Sequence, residues 1–384
     1  MTALPLEGIT VVSVEQAVAA PFATRQLADL GARVIKIERE VGDFARGYDT
    51  KVMGQASYFV WLNRSKESVA LDLKDPDDLR VARQLLADAD VFVQNLAPGA
   101  AEKLGLGAEE LQAVNPGLIH VSISGYGRGG PMEQKKAYDL LIQCESGLLS
   151  VTGTPEQEVK VGASIADIAA GMYAYSGVLA ALIQRGKTGR GDAIEISMLE
   201  ALSEWMQQPE LYARYGGTPP PRTGASHASI APYGPFSAAD GRVFLGIQNE
   251  REWTRFCADV LRRPELAEHP DFSNNSLRTE HVSALREMIE AVFAELPVAE
   301  VLARLDAAAI ANAELRTMLG VGNHPQLAAR DRWVNVDTPA GEVRVLRPPV
   351  TSREQGLRLG PVPAIGEHTE AIRAEARDRM EARR

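Results

Sequence analysis

The sequence predicts an α/β protein in which a mainly parallel sheet is covered on both faces by helices. Short apolar runs at residues 9–14, 34–38 and 91–94 have the length and composition of buried strands. Helical patterns lie between such runs, for example at residues 21–31, where a glycine ends the pattern. Strands that alternate with helices in this way are typical of a parallel sheet.

The remaining elements continue this alternation along the chain. Residue 75 is predicted to begin a helix because acidic residues and a proline follow it in the first turn. The further elements expected, in chain order, are residues 68–73 (strand), 75–89 (helix), 118–123 (strand), 140–149 (helix), 168–184 (helix), 193–197 (strand), a helix ending near 215, 243–247 (strand), several helices to about 330, a turn between two strands at 337–342, and a charged helix from 368.

A change in composition indicates a second domain. Residues 216–222 contain two glycines and three prolines, which is typical of a linker or domain edge. We expect a large domain formed by residues 1–215 and completed by a C-terminal return, residues 331–384. Residues 216–330 are expected to form a smaller α+β domain.

Composition excludes several classes of function. The 384 residues carry a net charge of −10, so neither nucleic acid nor a membrane surface is expected as a partner. The longest apolar stretch, residues 168–184, is shorter than the roughly 20 residues of a membrane span, and the N-terminus lacks the pattern of a secretory signal. Cys144 and Cys257 form neither a disulfide framework nor a zinc site. We therefore expect a cytoplasmic protein without a metal.

Two glycine-containing segments resemble phosphate-binding motifs but lack the required context. Residues 125–130 have the glycine spacing of a dinucleotide-binding motif and follow a predicted strand. They do not open a helix, because Pro131 and polar residues follow, so nicotinamide binding is not expected. Residues 186–188 resemble the end of a phosphate loop but follow a helix. The six histidines lack metal-ligand spacing and no Gly-x-Ser-x-Gly segment occurs, which disfavours metalloenzymes and hydrolases.

Asp167 is the most informative residue of the chain. It lies where a glycine-containing loop enters a long apolar helix, and no lysine, arginine or histidine occurs within six residues of it. Burial of an unpaired carboxylate is costly, so such an acid is either exposed at a helix N-terminus or present for chemistry. Both interpretations remain open on the residues alone, since the helix macrodipole also favours an acid in the first turn.

The order and spacing of short segments distinguish these interpretations. Each segment alone is unspecific, but together they cover nearly the whole chain. They are residues 5–12, 30–38, 62–66, 95–99, 124–131, 187–191, 232–233, 324–326 and 366–369. In these segments the sequence resembles the class III CoA-transferases, the family of formyl-CoA:oxalate and carnitine CoA-transferases. The related α-methylacyl-CoA racemases form a neighbouring branch.

The resemblance implies a role for Asp167, which occupies the position of the family's catalytic aspartate. A carboxylate there attacks an acyl-CoA thioester and then carries coenzyme A as a covalent aspartyl thioester. Coenzyme A is thus expected as substrate and covalent intermediate, with no tightly bound cofactor. Backbone N–H groups near Asp167 or in residues 125–130 are expected to stabilise the oxyanions. Tyr138 and Asp139 are expected to support catalysis, although Asp139 is equally interpretable as the N-cap of the following helix.

The resemblance also implies a coenzyme A site. Basic side chains would contact its phosphates, and small residues would let the backbone approach the nucleotide. Carried over from the family, the expected CoA-binding residues are Val18, Ala19, Arg39, Leu71, Lys74, Asn95, Leu96, Lys103, Lys136 and Tyr138. Each of these bases is also interpretable as a solvated surface charge, most of all Lys103, where the oxalate enzyme's pattern has arginine.

Two departures from related patterns bear on the substrate. Racemases of the superfamily carry a histidine in the motif where this chain has residues 136–139, so transferase is favoured over racemase. The four-glycine lid loop of the formyl-CoA branch is absent, and His227 lies in a shorter loop instead. We expect a small carboxylic acid acceptor, specifically a dicarboxylate, with Arg46, Arg64 and His227 as candidates for its second carboxylate. His227 is also interpretable as a structural turn residue.

The resemblance finally implies the assembly. A Rossmann-like large domain with a parallel sheet, a smaller α+β domain and an interlocked homodimer are expected from the family. The alternatives are an acyl-CoA isomerase or α-methylacyl-CoA racemase, and a non-catalytic CoA-binding subunit of a hetero-oligomer. The acyl donor and the acceptor are not identified by the sequence.

Overall fold

The computed structural model describes residues 4–382. Most of the predicted strands lie within two residues of their expected bounds. The strands are, in chain order, β1 (Thr10–Val14), β2 (Arg33–Glu38), β3 (Lys66–Ala70), β4 (Val91–Gln94), β5 (Ile119–Ser124), β6 (Gly153–Thr154), β7 (Gln157–Glu158), β8 (Ala193–Ser197), β9 (Tyr233–Ala238), β10 (Gly241–Gly246), β11 (Ala311–Glu314), β12 (Trp333–Thr338) and β13 (Gly341–Leu346).

The helices vary from single turns to one of 24 residues. The α-helices are α1 (Ala19–Asp29), α2 (Ser57–Leu62), α3 (Pro76–Ala87), α4 (Ala100–Lys103), α5 (Ala108–Val114), α6 (Asp139–Glu145), α7 (Leu148–Val151), α8 (Ile165–Thr188), α9 (Met198–Trp205), α10 (Gln207–Gly216), α11 (Glu250–Arg255), α12 (Asn275–Glu280), α13 (Val282–Phe293), α14 (Val298–Ala307), α15 (Met318–Gly322), α16 (Pro325–Ala329) and α17 (Thr369–Ala382). The helix expected at residues 140–149 is interrupted, because Gly147 has a φ of 81° between α6 and α7.

Six strands form a parallel sheet in the order β3-β2-β1-β4-β5-β8, which confirms the predicted α/β fold. Val12 on the central strand pairs with Ile35 on one side and with Phe92 on the other. The order reverses between β1 and β4. In open α/β sheets, ligands bind beyond the carboxyl ends of the strands at such a reversal.

Side chains on successive strand residues point to opposite faces of the sheet, and each face has its own core. Val11 belongs to the core formed with α1, α8 and α9, whereas Val12 belongs to the core formed with α3, α5 and α17. Helices α1 and α8 approach closely, since a Cβ on Gly171 would lie 2.6 Å from the carbonyl oxygen of Ala19. This close packing fixes the helix on which Asp167 lies.

Helix α8 is apolar along most of its length. Among the described residues, Ile165–Thr188 is the one helix that is long and apolar enough to cross a membrane by length and composition alone. Seven of its residues are buried, and they pack in the same core as α1 and α9. This packing is that of the core helix of a globular domain.

The chain divides into two compact units. Unit 1 comprises the residues up to Leu148, Val161–Gln208 and the residues from Leu327 onward. Unit 2 comprises Leu149–Lys160 and Pro209–Gln326, so that the segment carrying β6 and β7 groups with the later residues of this unit. The domain boundaries at residues 215 and 330 stay predictions.

Unit 2 has its own core. Strands β9, β10 and β11 form an antiparallel sheet, with a turn at residues 239–240 between β9 and β10. Trp253, Phe256 and Phe293 are buried against this sheet together with residues of α13 and α14. A hydrophobic core of this size is sufficient for a separately packed unit.

The C-terminal part of unit 1 covers the edge strand β3. The side chain of His368 accepts a hydrogen bond from the backbone N–H of Ser68 at 3.2 Å, and the hydroxyl of Thr369 accepts one from Ala70 at 3.0 Å. Helix α17 then packs on the core beneath α3 through Ile372 and Ala376. Backbone groups at the edge of the sheet are thereby paired within the chain.

Candidate active site

A cavity of about 350 Å³ opens at the reversal point of the parallel sheet. Its walls are the residues at and beyond the carboxyl ends of β1, β2, β3 and β4. We call it the switch-point cavity. Its lining combines apolar side chains, such as Val14 and Ile37, with charged side chains at the mouth. The position of the cavity favours a ligand there, because the parallel strands direct the loops that follow them to this edge of the sheet.

Five of the ten residues expected to bind coenzyme A line this cavity. Leu71 and Leu96 form part of its apolar wall, and Arg39, Lys74 and Lys103 are exposed at its rim. Arg39 and Lys74 lie in the loops after β2 and β3, and Lys103 is the last residue of α4, the short helix that follows β4. Three cations and one exposed acid, Asp72, thus meet at this rim, which is locally positive although the chain as a whole is acidic.

Val18 and Ala19 lie at the beginning of α1, next to the cavity. Both side chains are 98% removed from solvent, since only 2% of each is exposed. They can therefore meet a ligand through the backbone alone, at the N-terminal end of a helix.

Asn95 fixes the loop that leads to this helix. Its side-chain oxygen accepts a hydrogen bond from the backbone N–H of Gln16 at 2.9 Å, and its amide nitrogen donates to the carbonyl oxygen of Gln16 at 2.9 Å. The loops after β1 and β4 are thus joined at the reversal point. Asn95 has a structural task in shaping the cavity, and sequence reasoning had not singled out Gln16, which lines it.

Asp43, in the loop after β2, also holds the loop after β1 in place, and it was not singled out from the sequence either. One of its carboxylate oxygens accepts from the backbone N–H of Ala17 at 3.1 Å and of Ala45 at 2.9 Å. The other oxygen is 2.8 Å from the ammonium group of Lys36, which is fully buried. Asp43 lies two residues before Ala45, the spacing of a local Asx turn, which was the available signal.

A buried pair of lysines lies behind the cavity. Glu15 is 2.7 Å from Lys66 and 3.5 Å from Lys36. Burial opposes the charge of Glu15, but the two lysines overcome it and lower the pKa of this carboxyl. Burial lowers the pKa of Lys66 to about 8. Mutual pairing of these charges makes their burial tolerable.

Glu38 ends β2, where nicotinamide-binding folds place an acid for the ribose. Its carboxylate already accepts hydrogen bonds from the side chains of Arg46 and Ser68 and from the backbone N–H of Asp43. The pKa of Glu38 is lowered to about 2, because Arg46 and Lys36 outweigh its burial. The carboxylate is therefore committed within the protein, which agrees with the absence of the glycine motif after β1.

The expectation that Arg46 binds an acceptor carboxylate needs correction. Its guanidinium lies 2.7 and 2.9 Å from the two oxygens of Glu38 and stacks over the ring of Phe59, with 3.5 Å between its carbon and the ring centroid. The carboxylate that Arg46 binds is thus one of this chain. An Arg–carboxylate pair in this geometry is already satisfied.

The expectation for Arg64 is corrected for the same reason. This side chain is only 2% exposed and binds both oxygens of Asp29 at 2.8 and 2.6 Å. Arg25 is a further partner of Asp29 at 2.9 Å. A substrate carboxylate does not reach Arg64 without breaking a buried ion pair, which is strongly unfavourable.

Asp167 lies in the first turn of α8 and is half-buried. Burial raises its pKa to about 7, and the negative charge of Asp139 acts in the same direction. The helix macrodipole favours the charged form by only about 0.3–1 kcal/mol, which is less than one pKa unit. Burial therefore dominates, and the site holds a carboxylate that is more basic than an ordinary aspartate.

Asp139 is the first residue of α6 and does not cap that helix. Its oxygen Oδ1 instead accepts hydrogen bonds from the backbone N–H groups of Ala166 at 2.8 Å and Asp167 at 3.4 Å. The N-cap interpretation is therefore wrong for α6, and Asp139 caps α8 from a neighbouring helix. Ser164, at the N-cap position of α8, makes no side-chain cap of its own. The structure brings Asp139 and Asp167 together, as the sequence interpretation required.

Lys136 and Tyr138 precede α6, and both side chains are exposed. Neither lines the switch-point cavity. The glycine-rich loop before them lines a second cavity of about 230 Å³, beyond the ends of β4, β5 and β8. There Arg128 forms ion pairs with Glu102 and with Glu195. The loop opens no helix, since the next helix begins only at Asp139.

An aromatic cluster near Asp167 was not expected from the sequence. Tyr48 packs against Phe44 at 5.7 Å and Tyr58 at 5.4 Å between ring centroids, and Tyr58 is 6.4 Å from Trp61. Burial raises the pKa of Tyr48 to about 12, and the carboxylates of Asp43 and Asp167 add to this effect. The Tyr48 phenol therefore lies in the electric field of the Asp167 carboxylate, while the residue is 47% exposed.

His227 belongs to unit 2. Its ring stacks on Tyr233 with 5.2 Å between centroids, and its Nδ1 accepts a hydrogen bond from the backbone N–H of Ser229 at 3.1 Å. These contacts are those of a turn residue, although the ring remains exposed. Within residues 4–382, no three His, Cys, Asp or Glu side chains are arranged to hold a metal ion.

The family is shown by comparison with known proteins. Residues 6–369 match the sequence profile of CoA-transferase family III. This chain is a member of CoA-transferase family III. The α/β fold and the recognition of the family from its short segments are therefore confirmed, and the chain is a CoA-transferase with coenzyme A as substrate.

Relatives of this transferase are similar over almost its whole length. A succinyl-CoA:glutarate CoA-transferase of Mus musculus is 33% identical over 97% of this chain and 86% of its own. An acetyl-CoA:oxalate CoA-transferase of Acetobacter aceti is 34% identical over 89% of each chain. The crystal structure of a CAIB/BAIF family protein from Brucella suis is 33% identical, covers 98% of this chain and 100% of its own, and superimposes with a TM-score of 0.87.

Proposed function

We propose that this transferase moves coenzyme A reversibly from an acyl-CoA to a small dicarboxylic acid through an aspartyl-CoA thioester on Asp167. The observation that carries the proposal is the half-buried carboxylate in the first turn of α8, whose pKa is raised to about 7 by burial and by Asp139. A carboxylate that is more basic than usual is a better nucleophile, and with a pKa near neutrality it is still available in its ionised form.

The reaction proceeds in two symmetrical halves. The Asp167 carboxylate attacks the thioester carbonyl, and the coenzyme leaves as a thiolate, which yields a mixed anhydride. The thiolate attacks the aspartyl carbonyl of this anhydride, so that the donor acid leaves as a carboxylate and Asp167 carries the coenzyme as a thioester. An incoming carboxylate reverses both steps, which regenerates Asp167 and releases the new CoA ester. One thioester replaces another, so no ATP is consumed.

The switch-point cavity supports the position of the nucleotide. Arg39, Lys74 and Lys103 at its rim provide cations for the phosphate groups, and Leu71 and Leu96 provide apolar wall. Lys136 and Tyr138, beside Asp139, remain proposed contacts for the part of the coenzyme nearer the reacting carboxylate. Hydrogen bonds between these cations and phosphate oxygens would be stronger than hydrogen bonds between neutral groups.

The dicarboxylate acceptor is supported by the relatives, whose names pair an acyl-CoA with glutarate or with oxalate. Arg46 and Arg64 are bound to Glu38 and Asp29, so they do not support it. His227 remains the proposed contact for a second carboxylate. A screen of succinyl-, acetyl- and formyl-CoA against small mono- and dicarboxylic acids, read by mass spectrometry, identifies donor and acceptor.

We also propose that the transferase is a homodimer in the cytoplasm. Met318 and Leu319 on α15 are 83% and 86% exposed, and such apolar side chains favour a partner surface. Cys144 and Cys257 are both free thiols, as expected in a reducing compartment. Light scattering of the purified chain tests the assembly, and a monomer at micromolar concentration contradicts it.

The central experiment replaces the proposed nucleophile. Asp167→Asn should retain the fold and lose at least about a thousandfold in turnover, because the neutral amide does not form the anhydride. Hydroxylamine added during turnover should convert Asp167 into a hydroxamate, detectable by peptide mass spectrometry. Asp192→Asn, an exposed acid, is the matched control. Full activity of Asp167→Asn, or deuterium wash-in at the α-carbon without acyl exchange, would reject the mechanism.

A further inference from the structure

Gln143 is a fully buried amide on α6, with 0% of the residue exposed. It lies four residues after Asp139, so both side chains are on one face of the helix. Its amide nitrogen donates a hydrogen bond to Oδ2 of Asp139 at 2.7 Å, and its amide oxygen accepts one from the backbone N–H of Val161 at 3.0 Å. A buried amide that uses both ends is a strong constraint on its neighbours.

The two hydrogen bonds of Gln143 constrain the same segment, residues 161–167, at its beginning and at its end. Through Asp139, Gln143 fixes the carboxylate that caps the first turn of α8, where Ala166 and Asp167 donate their N–H groups. Through Val161, it fixes the loop that enters α8. The segment that carries Asp167 is therefore held from both ends by one side chain.

The orientation of this segment matters because no cation within residues 4–382 forms an ion pair with Asp167. The charged group that acts on it is the carboxylate of Asp139, which faces it from α6, and the phenols of Tyr48 and Tyr138 lie in the same region. A nucleophile displaced by about 1 Å can lose about a hundredfold in rate. Gln143 is fully buried, and its two hydrogen bonds lead to this segment.

We propose that Gln143 is a positioning residue for Asp167, acting through the carboxylate of Asp139 and the backbone of Val161. This inference rests on the proposed role of Asp167 as nucleophile. It assigns the transfer reaction a hydrogen-bonded chain that runs from Val161 through Gln143 and Asp139 to the first turn of α8.

The first test removes the amide. Gln143→Leu, similar in size, should lower kcat by about a hundredfold while the KM for acyl-CoA stays within about threefold, because the lining of the switch-point cavity is unchanged. Gln112→Leu is the matched control. This half-buried amide donates to the carbonyl oxygen of Leu118 at 3.0 Å, outside the chain of contacts with Asp139. Equal kcat values for the two variants would overturn the proposal.

The second test keeps the hydrogen bond between residues 139 and 143 but exchanges its donor and its acceptor. Gln143→Glu alone sets two carboxylates against each other and should lower kcat at least as much as Gln143→Leu. In the double variant Asp139→Asn/Gln143→Glu, the new amide at 139 donates to the new carboxylate at 143. Its oxygen still accepts from Ala166, and the carboxylate still accepts from Val161. The double variant should recover at least tenfold in kcat over Gln143→Glu, and no recovery would overturn the proposal.

The two proposals fail in different ways. If Asp167→Asn keeps full turnover, the covalent mechanism is rejected whatever Gln143 does. If Asp167→Asn is inactive while Gln143→Leu retains the kcat of the Gln112→Leu control, only the positioning role is rejected. A purely structural role would lower the yield of folded protein but would leave the kcat of the folded fraction unchanged.

Discussion

The carboxylate of Asp43 accepts a hydrogen bond from the backbone N–H of Ala17 at 3.1 Å, and Ala17 has a φ of 61°. A left-handed conformation is uncommon for a residue with a Cβ and costs of order 1–3 kcal/mol unless its surroundings enforce it. Asp43, with the buried ammonium of Lys36 behind it, supplies that enforcement. The strain lies in the loop that shapes the switch-point cavity.

Substitutions of Ala17 should therefore show how much the positive φ of this residue costs in stability, because they leave its backbone hydrogen bond to Asp43 available. Ala17→Val should lower the free energy of unfolding by at least about 1 kcal/mol, because a β-branched side chain tolerates positive φ poorly. It should also weaken acyl-CoA binding, since the adjacent backbone is displaced. Ala17→Gly, the control, should change stability by less than about 1 kcal/mol. Urea unfolding measures the free energy of unfolding, and titration calorimetry measures the affinity for acyl-CoA. If both quantities were the same in the two variants, the conformation of Ala17 would not be strained.

The stability of Asp167→Asn should depend on pH in a defined direction. The pKa of Asp167 is raised to about 7 in the folded protein, above the unfolded value of about 3.9. The folded state then holds the proton more tightly, so this group destabilises the fold increasingly from about pH 4 to pH 7. Asp167→Asn should gain at least about 1 kcal/mol more stability at pH 8 than at pH 5, relative to the parent. A pH-independent difference in urea unfolding would contradict this.

Asp139→Asn should move the acid limb of the rate profile. The charge of Asp139 contributes to the raised pKa of Asp167, so its removal lowers that pKa. The nucleophile is the ionised form, and kcat/KM should therefore persist to lower pH in this variant, even where its maximum is reduced. Measurement of kcat/KM from pH 5 to pH 9 tests the shift. An acid limb that moves to higher pH would show that Asp139 acts on Asp167 in another way.

The rim of the switch-point cavity should control affinity for the coenzyme. Arg39→Ala, Lys74→Ala and Lys103→Ala should each raise the KM for acyl-CoA by about tenfold, the loss of one hydrogen bond to a charged group. Added salt should narrow the difference from the parent, because exposed charges are screened. Lys187→Ala, at the exposed end of α8, should leave KM unchanged. A KM for acyl-CoA that is unaffected in all three rim variants would place the phosphates elsewhere.

Arg64→Met should separate stability from substrate binding. Because Arg64 and Arg25 both bind Asp29 in the core, the variant should lose at least about 2 kcal/mol of unfolding free energy. Its KM for the acceptor acid should stay within about twofold of the parent on folded protein. Thermal unfolding and steady-state kinetics give the two values. A large rise in the acceptor KM would restore Arg64 as a substrate residue.

The sheet was predictable because its signals are local. The apolar runs of β1, β2 and β4 are strands, and the glycine after α1 ends that helix as expected. The elements β6 and β7 were missed because they have only two residues each. The break between α6 and α7 had a local signal in Gly147, which was not used. Periodicity needs several residues to be visible.

The sequence predicted which residues follow the strands at the site, but it did not predict which charged side chains pair with each other. Arg39, Lys74 and Lys103 converge on one cavity because each follows a parallel strand or its loop. The partner of Arg64 is Asp29, 35 residues earlier, and Asp139 caps a helix that begins 26 residues later. Such long-range pairing of charges depends on the tertiary fold, which no local sequence pattern encodes.

Closure of the β3 edge by His368 and Thr369 has a consequence for biosynthesis. Strand β3 leaves the ribosome about 300 residues before the groups that cover it. During that interval the nascent sheet exposes an unpaired border, which is the kind of surface that invites other chains to join it. The fold is therefore completed only in the last part of translation. A nascent chain stalled on the ribosome before residue 368 would expose an unpaired sheet edge that is prone to aggregation.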